Sequence, residues 1–112
     1  MLDTFPDIIN NLPDVEISLD GVRGKLLQAG DMQVVFFDIQ PVGKIPPHSH
    51  GPQWGVVLEG EMELTIDGQT SIYRKGDSYY IPGGKIHSAN FRTHFRAMDL
   101  FGEPNRYQAK LP

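Results

Sequence analysis

Hydrophobic and polar residues alternate along much of this chain with a period of two. Between Glu61 and Ile66, apolar Met, Leu and Ile follow Glu, Glu and Thr in turn. Because successive side chains of a strand point to opposite faces, this alternation predicts a half-buried β-strand. The longer apolar run MQVVFFDIQ, residues 32–40, predicts a strand that is buried on both faces. Further short strands are predicted within residues 77–82, 85–91 and 94–102.

Glycine and proline divide the chain into short segments, with 12 Gly and 9 Pro spread through it. The pairs Glu59-Gly60 and Asp67-Gly68 predict tight turns on either side of the alternating strand. The pair Asp20-Gly21 predicts another hairpin, between half-apolar runs at 14–20 and 22–28.

The first residues carry helix signals instead of strand signals. A short helix is predicted within residues 3–11, where Asp3 or Thr4 provides a cap and Pro13 marks the end. The tail, residues 103–112, is polar and is expected to lie across the surface.

About eight short strands joined by tight turns indicate an all-β fold. A chain of 112 residues suits one domain, taken here as residues 1–112. The strand pattern alone leaves two architectures open, a sandwich and a closed barrel.

Charge and composition narrow the classes of partner. The formal net charge is -4 and the basic residues are scattered, so neither a nucleic-acid surface nor an anionic-membrane surface is expected. The chain has no cysteine, which excludes disulfides and thiol chemistry. Residues 1–12 lack both a basic start and a long apolar run. We therefore expect no signal peptide or membrane span, and a cytoplasmic protein.

The histidines indicate a metal centre. His48 and His50 are two apart, so on one strand they would share a face and converge on one cation. His87 would be a third ligand, from a neighbouring strand. Gln53 has the wrong parity for that face, but a kink at Gly51-Pro52 turns it inward as a fourth ligand. Alternatively, the first two histidines are loop residues and the glutamine is solvated.

Two segments resemble the paired sequence motifs of the cupin family, G(X)5HXH(X)3–4E(X)6G and G(X)5PXG(X)2H(X)3N. Residues 42–60, VGKIPPHSHGPQWGVVLEG, parallel the first motif, and residues 76–90, GDSYYIPGGKIHSAN, parallel the second. In the second segment Gly76, Pro82, Gly84 and His87 keep the family's spacing, whereas Asn90 comes one residue early. The resemblance covers residues 32–102.

The first motif departs from the family at two positions. Val42 stands where the motif has glycine, and Gln53 occupies the slot of the family's glutamate. A carboxamide leaves a bound M²⁺ its full charge, which would attract anionic ligands more strongly and hold Mn²⁺ less well. Alternatively, Gln53 does not reach the ion and three histidines form the whole site.

Membership of the family would imply a double-stranded β-helix, or jelly-roll, barrel with its core at 32–102. It would also imply a homodimer and one divalent transition metal, Fe, Ni, Zn, Cu or Mn, held by His48, His50, Gln53 and His87. The side chains predicted to wall a small-molecule site are Trp54, Phe91, Met98 and Phe101. Of these, Phe91 is favoured because it shares the parity of His87.

Other polar residues in the same region are more ambiguous. His94 stands in a polar turn and is expected to be solvated. Asp99 is either a hydrogen-bond partner of a ligand histidine or an exposed strand residue. The tyrosines receive no chemical role, and no catalytic residue is assigned.

Two functions remain open. One is a metal-dependent enzyme, of dioxygenase or isomerase type, acting on a small anionic or enolisable molecule. The other is a non-catalytic barrel that binds or senses a small ligand, with a structural metal or none. The resemblance implies the fold and a metal site, but it does not indicate which reaction the protein catalyses.

Overall fold

The computed structural model describes residues 5–41 and 43–111, which form nine strands and one helical turn. All paired strands run antiparallel. The all-β prediction is therefore confirmed. The elements are α1 Asp7–Asn10, β1 Val22–Ala29, β2 Met32–Ile39, β3 Lys44–His48, β4 Gln53–Glu59, β5 Glu61–Ile66, β6 Gln69–Arg74, β7 Ser78–Ile81, β8 His87–Asn90 and β9 Phe95–Phe101.

The strands form two sheets, β1-β2-β9-β4-β7 and β3-β8-β5-β6. Strands β3, β4 and β5 follow one another in sequence but alternate between the sheets, so the chain winds around both as a double-stranded β-helix. The apolar core includes side chains from each sheet, such as Val35 and Phe95 from one and Met62 and Leu64 from the other. The predicted jelly-roll architecture is confirmed. Strand β1 extends it to the N-terminal side of the predicted core at 32–102.

Strand β2 is buried on one face only. Val35 and Phe37 point into the core, whereas Val34 and Phe36 are partly exposed on the outer face of the five-stranded sheet. The prediction of burial on both faces was wrong because that outer face is covered only in part, where the Phe5 ring packs against Phe36 at a centroid distance of 5.9 Å.

The N-terminal segment differs from its predicted form. The helix is a single turn, Asp7–Asn10, with Pro6 at its N-cap position. The cap candidates Asp3 and Thr4, like Val42 of the first motif, lie outside the described residues. Among the described residues no helix is long and apolar enough to cross a membrane.

The predicted hairpin at Asp20-Gly21 is absent from the structure. Residues 14–20 form only isolated bridges, from Asp14 to Lys25 and from Val15 to Ala109. Val15 is buried in the core, so this segment leaves the edge of β1 to pack against the C-terminal tail. The hairpin partner of β1 is β2, joined through Gly30 at φ +62°.

The C-terminal tail is also more than a surface segment. The Tyr107 ring contacts Phe37 and Phe101 of the core, at centroid distances of 6.0 and 5.3 Å. The expectation of a purely superficial tail is corrected by this single aromatic side chain, which helps to close one end of the barrel.

Two turn glycines provide a matched test of the fold. Gly60 and Gly68 have nearly the same φ, +81° and +82°. A Cβ on Gly60 would lie 2.0 Å from the carbonyl oxygen of His94, whereas one on Gly68 would meet nothing within 4 Å. Gly68→Ala should lower the free energy of unfolding by about 1–2 kcal/mol through backbone strain alone. Gly60→Ala should cost about 3 kcal/mol or more.

Urea denaturation of both variants checks this expectation. Equal losses of stability would show that the β4–β5 turn does not lie as close to the backbone of His94 as described.

Candidate metal centre

Three histidines converge inside one end of the barrel, two from the end of β3 and the loop after it and one from β8. His48 is the last residue of β3, His87 is the first of β8, and the two are register partners. Their ring centroids lie 4.2 Å apart, and those of His50 and His87 lie 4.7 Å apart. His50 is in the loop after β3, so the prediction that His48 and His50 share one strand is wrong. The His50 ring therefore reaches the cluster from a loop, and the alternation of side chains along a strand does not explain its position.

Each of the three rings is oriented by a backbone carbonyl. In every case the Nδ1 atom lies within hydrogen-bond distance of a carbonyl oxygen. A carbonyl only accepts, so Nδ1 carries the proton and Nε2 keeps its lone pair. The partners of His48, His50 and His87 are the carbonyls of Pro46, Gly51 and Lys85, at 2.8, 2.7 and 2.9 Å.

The geometry of the Nε2 atoms fits a divalent transition-metal ion. The Nε2 atoms of His50 and His87 are 3.1 Å apart, and one nitrogen from each of the three rings lies within 4.8 Å of the others. Two lone pairs at that distance repel unless a cation lies between them. Nitrogens bound to one tetrahedral ion at about 2.0–2.1 Å would be about 3.3–3.4 Å apart. The His50–His87 pair is therefore close to the spacing that shared coordination requires, and a nitrogen of His48 lies within 4.8 Å of both.

Burial favours the neutral form of His48 and His50. Burial lowers the pKa of His48, and burial lowers the pKa of His50 to about 4, against the opposing effect of the carbonyl hydrogen bonds. The positive charge of Arg106 and the neighbouring rings lower both pKa values further. At neutral pH the two lone pairs are thus free to bind a metal, since protons compete only under acidic conditions.

A carboxylate behind His50 escaped the sequence analysis. Glu103 Oε2 accepts the backbone N–H of Gly51 at 2.5 Å and lies 3.6 Å from His50 Nδ1. It therefore holds the loop that carries His50. No local pattern in the sequence marks Glu103, because the contact joins two distant segments.

Gln53 is held by a buried carboxylate. It begins β4, and its Nε2 donates to Asp99 Oδ2 at 2.7 Å. Gln53 lines the same cavity as the three histidines. With Nε2 engaged, Oε1 is the atom that its amide has to offer a cation. The end of β3 at His48 and the start of β4 at Gln53 also account for the parity change predicted at Gly51-Pro52.

Asp99 is central to this arrangement although it touches no histidine. It is 1% exposed, and the Tyr79 hydroxyl donates to its two oxygens at 2.9 and 2.8 Å. Burial raises the pKa of Asp99 to about 7, while hydrogen bonds from Gln53 and Tyr79 oppose that rise. Neither predicted alternative for Asp99 was right, because its partners are an amide and a phenol.

A glycine makes the contact between Tyr79 and Asp99 possible. Gly55 of β4 is the register partner of both residues, on β7 and β9. A Cβ on Gly55 would lie within 2.4 Å of the Tyr79 hydroxyl and 2.5 Å of Asp99 Oδ2. A glycine inside an apolar strand often marks such a close approach. Gly55 is therefore the feature of the sequence from which a buried contact of Tyr79 could have been predicted.

The histidines open onto a small cavity of about 40 Å³ between the two sheets. A water-sized probe needs about 10–15 Å³, so the space accommodates an ion and one or two small groups. The polar part of its lining consists of the three histidines with Gln53, Tyr79 and Asp99. The rest of its lining is largely apolar and includes Phe37, Ile39, Ile45, Met62, Leu64, Ile81, Ala89, Phe91, Phe95 and Tyr107.

The four predicted wall residues divide into two inward and two outward side chains. Phe91 lines the cavity, whereas Phe101 is buried with its ring 5.6 Å from that of His50 but is not part of the cavity lining. Trp54 is 41% exposed, and neither it nor Met98 lines the cavity. Placing them in its wall was wrong because they are the strand neighbours of Gln53 and Asp99, whose side chains point inward.

His94, the remaining histidine, lies outside this centre. It stands in the loop between β8 and β9, as predicted, but its Nε2 lies 2.6 Å from Asp38 Oδ1. Arg96 approaches the other oxygen of the same carboxylate at 3.3 Å. The ring is thus ion-paired or hydrogen-bonded on the surface and not simply solvated.

Comparison with known proteins agrees with this architecture. A family model described as the cupin domain matches residues 35–101. The chain is 36% identical over 91 residues to the HTH-type transcriptional regulator PuuR of Escherichia coli K12, covering 74% of this chain and 49% of the regulator. The PuuR of Shigella flexneri matches to the same extent. The chain thus spans about half the length of these curated relatives.

Solved structures show the same fold at lower sequence identity. KdgF from Halomonas sp. is 24% identical with a TM-score of 0.71, covering 82% of this chain and 86% of that one. An RmlC-like cupin from Shewanella frigidimarina is 24% identical with a TM-score of 0.75, at coverages of 86% and 87%. Bacillus subtilis oxalate decarboxylase, which has Mn(II) centres, is 18% identical with a TM-score of 0.69, at coverages of 81% and 27%.

In metal-free protein, His50 and Asp99 should have opposite effects on the pH dependence of stability. The pKa of His50 falls from 6.5 to about 4 on folding, so between these values only the unfolded chain binds that proton. The contribution of His50 to the free energy of unfolding therefore rises with pH in this window. The pKa of Asp99 rises from 3.8 to about 7, so its contribution falls as pH rises through that range.

Urea denaturation in EDTA at pH 4.5 and pH 6.5 separates the two effects. Relative to wild type, His50→Gln should shift the pH slope of stability downward, and Asp99→Asn should shift it upward. Equal slopes in both variants would contradict the burial of these two groups.

Proposed function

The chain belongs to the cupin domain family, and from that premise we propose that it is a mononuclear metal enzyme. One divalent transition-metal ion is held by His48, His50 and His87, with Gln53 Oε1 as a fourth ligand. The substrate is a small anionic or enolisable organic molecule, and the reaction is of dioxygenase or isomerase type.

The convergence of three imidazole rings, each with an unprotonated Nε2, carries this proposal. In all three rings the Nδ1–H group donates to a backbone carbonyl, which leaves Nε2 as an acceptor. When bound, the ion supplies Lewis acidity toward an oxygen of the substrate. The apolar walls exclude water and thereby strengthen electrostatic interactions in the cavity.

The four proposed ligand atoms favour some metals over others. Three imidazoles and one neutral amide contribute no negative charge, so a divalent ion keeps its full charge and attracts an anionic ligand. Imidazole suits Fe, Ni, Cu and Zn, whereas Mn is favoured by carboxylate ligands. Of the five candidate metals, Mn is therefore the least well matched to Gln53.

A ligand-sensing barrel is the second candidate, and the relatives favour it. The PuuR proteins are transcriptional regulators, and this chain matches about half of their length. In that role the barrel would bind its small ligand without converting it. Consumption of the bound molecule therefore separates the two candidates.

We also propose that two copies form a homodimer through the outer face of the five-stranded sheet. An apolar row crosses this face in register, and it consists of Leu27, Val34, Leu100, Trp54 and Tyr80. Tyr80 is 57% exposed and Trp54 41%, so the row offers contiguous apolar area for burial. A cytoplasmic location, and a barrel that does not itself bind nucleic acid, remain predictions.

The metal content of the protein should depend on the three clustered histidines and not on the total number of histidines in the chain. Elemental analysis of protein purified without an affinity tag should find about one transition-metal ion per chain in wild type and in His94→Ala. His87→Ala should lose most of it, because two imidazoles and an amide remain. His94→Ala is the matched control, since it removes a histidine that lies outside the centre. Equal metal content in wild type and His87→Ala would refute the proposed centre.

Gln53→Glu tests the charge of the ligand set. The carboxylate should tighten Mn²⁺ binding and weaken the binding of anionic ligands to the metal-loaded protein. Without metal, it should lower stability by about 1–3 kcal/mol, because Asp99 loses a hydrogen-bond donor and faces a second carboxyl. Asp99→Asn in the same chain restores a donor and should recover part of that loss.

Titration calorimetry with Mn²⁺ and thermal unfolding in EDTA measure both effects. Weaker Mn²⁺ binding by Gln53→Glu would place the side chain of residue 53 outside the coordination sphere.

A further inference from the structure

The C-terminal tail, residues 103–111, begins directly behind the histidine centre. The Glu103 Oε2 atom accepts the backbone N–H of Gly51 at 2.5 Å. The carbonyl group of Gly51 in turn accepts the Nδ1–H group of His50 at 2.7 Å. The backbone of a single glycine therefore connects the Glu103 carboxylate, through two hydrogen bonds, to the ring of a proposed metal ligand.

The lack of a side chain at Gly51 lets the carboxylate approach this closely. A Cβ at position 51 would lie 2.7 Å from Glu103 Oε2 and 3.0 Å from its carboxyl carbon, but 3.5 Å from the Glu103 Cβ. Gly51 does not have a positive φ, so a left-handed backbone does not account for this glycine. The room that the glycine provides is occupied by the carboxyl group of Glu103.

The negative charge of Glu103 also lies close to the His50 ring. Its Oε2 is 3.6 Å from Nδ1, and His50 is its only basic neighbour within ion-pair distance in the described part of the chain. An imidazole gains positive charge when its other nitrogen binds a cation, and a carboxylate behind the ring stabilises that charge. Glu103 can therefore contribute to metal affinity without touching the ion.

Beyond Glu103 the tail is fixed by two further sets of hydrogen bonds. The buried Gln33 donates from Nε2 to the carbonyl of Tyr107 at 2.8 Å and accepts the Tyr107 N–H at 3.0 Å. The Lys110 N–H donates to the carbonyl of Asp14 at 2.7 Å. Since the Tyr107 side chain also lines the histidine cavity, the tail meets the site at two places, the loop after β3 and the cavity wall.

We propose that Glu103 positions His50 for metal binding and thereby couples the ion to the docking of the C-terminal tail. This inference rests on the proposed function, because it takes His50 to be a metal ligand. The carboxylate orients the backbone of Gly51, and that backbone orients the ring. Coupling between two equilibria is reciprocal. The ion should therefore stabilise the docked tail to the same extent that the docked tail favours the ion.

Zinc affinity, measured by competition with a chelator in tag-free protein, tests the positioning role. Glu103→Ala should weaken zinc binding by about 10–100-fold, the usual cost of losing an outer partner of a ligand histidine. Glu103→Gln keeps an acceptor for the Gly51 N–H but lacks the charge, so its loss should be smaller. Glu61→Ala is the matched control and should bind zinc as wild type does. The Glu61 side chain is similarly exposed, 33% against 30%, but it pairs with Arg74.

A double-mutant cycle with Gly51→Ala separates positioning from a general loss of stability. In the wild-type background the new Cβ displaces the Glu103 carboxylate, so zinc binding should weaken. In the Glu103→Ala background the new Cβ meets only the Cβ of residue 103, so the further loss should be small. Such non-additivity is expected of two residues that act through one contact. Additive losses would overturn the positioning role.

Hydrogen exchange of the Tyr107 N–H, followed by NMR at saturating zinc and in EDTA, tests the coupling to the tail. Zinc should slow this exchange in wild type and in Glu61→Ala, and the slowing should be smaller in Glu103→Ala. Equal slowing in wild type and Glu103→Ala would overturn the coupling, because zinc would then stabilise the tail without that carboxylate. Should Glu103→Ala fail to fold, Glu103→Gln takes its place in the affinity and exchange measurements.

The outcomes distinguish this inference from the proposed function. A wild-type protein that binds no zinc refutes the metal centre and with it the role of Glu103. A wild type that binds zinc, together with a Glu103→Ala variant that binds it equally well, overturns only the role of Glu103.

Discussion

The carbonyl groups of Pro46, Gly51 and Lys85 determine what this barrel interior can bind. Each accepts a hydrogen bond from the Nδ1–H group of a histidine, so Nε2 is left as an acceptor in every ring. The cavity then contains three acceptors and few donors, in a space with largely apolar walls. Such an arrangement is costly unless a cation joins it. The capacity to hold a metal ion thus follows from backbone geometry as much as from the presence of histidine.

The glutamine at the fourth position is explained by what lies behind it. The Asp99 carboxyl group lies behind Gln53, where it accepts hydrogen bonds from Gln53 and Tyr79. A glutamate at position 53 would face that carboxyl without a donor. In the proposed ligand set the pair would keep negative charge away from the ion, and Gly55 leaves the room that Tyr79 needs to reach Asp99.

Features set by local sequence could be predicted, and those set by distant packing could not. The alternation around Met62 and Leu64 and the turns at Gly60 and Gly68 are local, and each led to the observed element. The spacing of the histidines located the cluster, although His50 lies in a loop and not on the strand of His48. Trp54 could have been placed correctly, because a strand that turns Gln53 inward must turn its neighbour outward. The contacts of Glu103, Tyr107 and Arg106 depend on where the tail crosses the barrel. No periodicity in the sequence encodes that crossing.

The most direct test of the shared-ion geometry is anomalous diffraction at the zinc edge from crystals of the zinc-loaded protein. The account predicts a single strong peak inside the barrel, about 2.0–2.1 Å from the Nε2 atoms of His48, His50 and His87. A peak bound through Nδ1, or zinc found only at surface side chains, would contradict it.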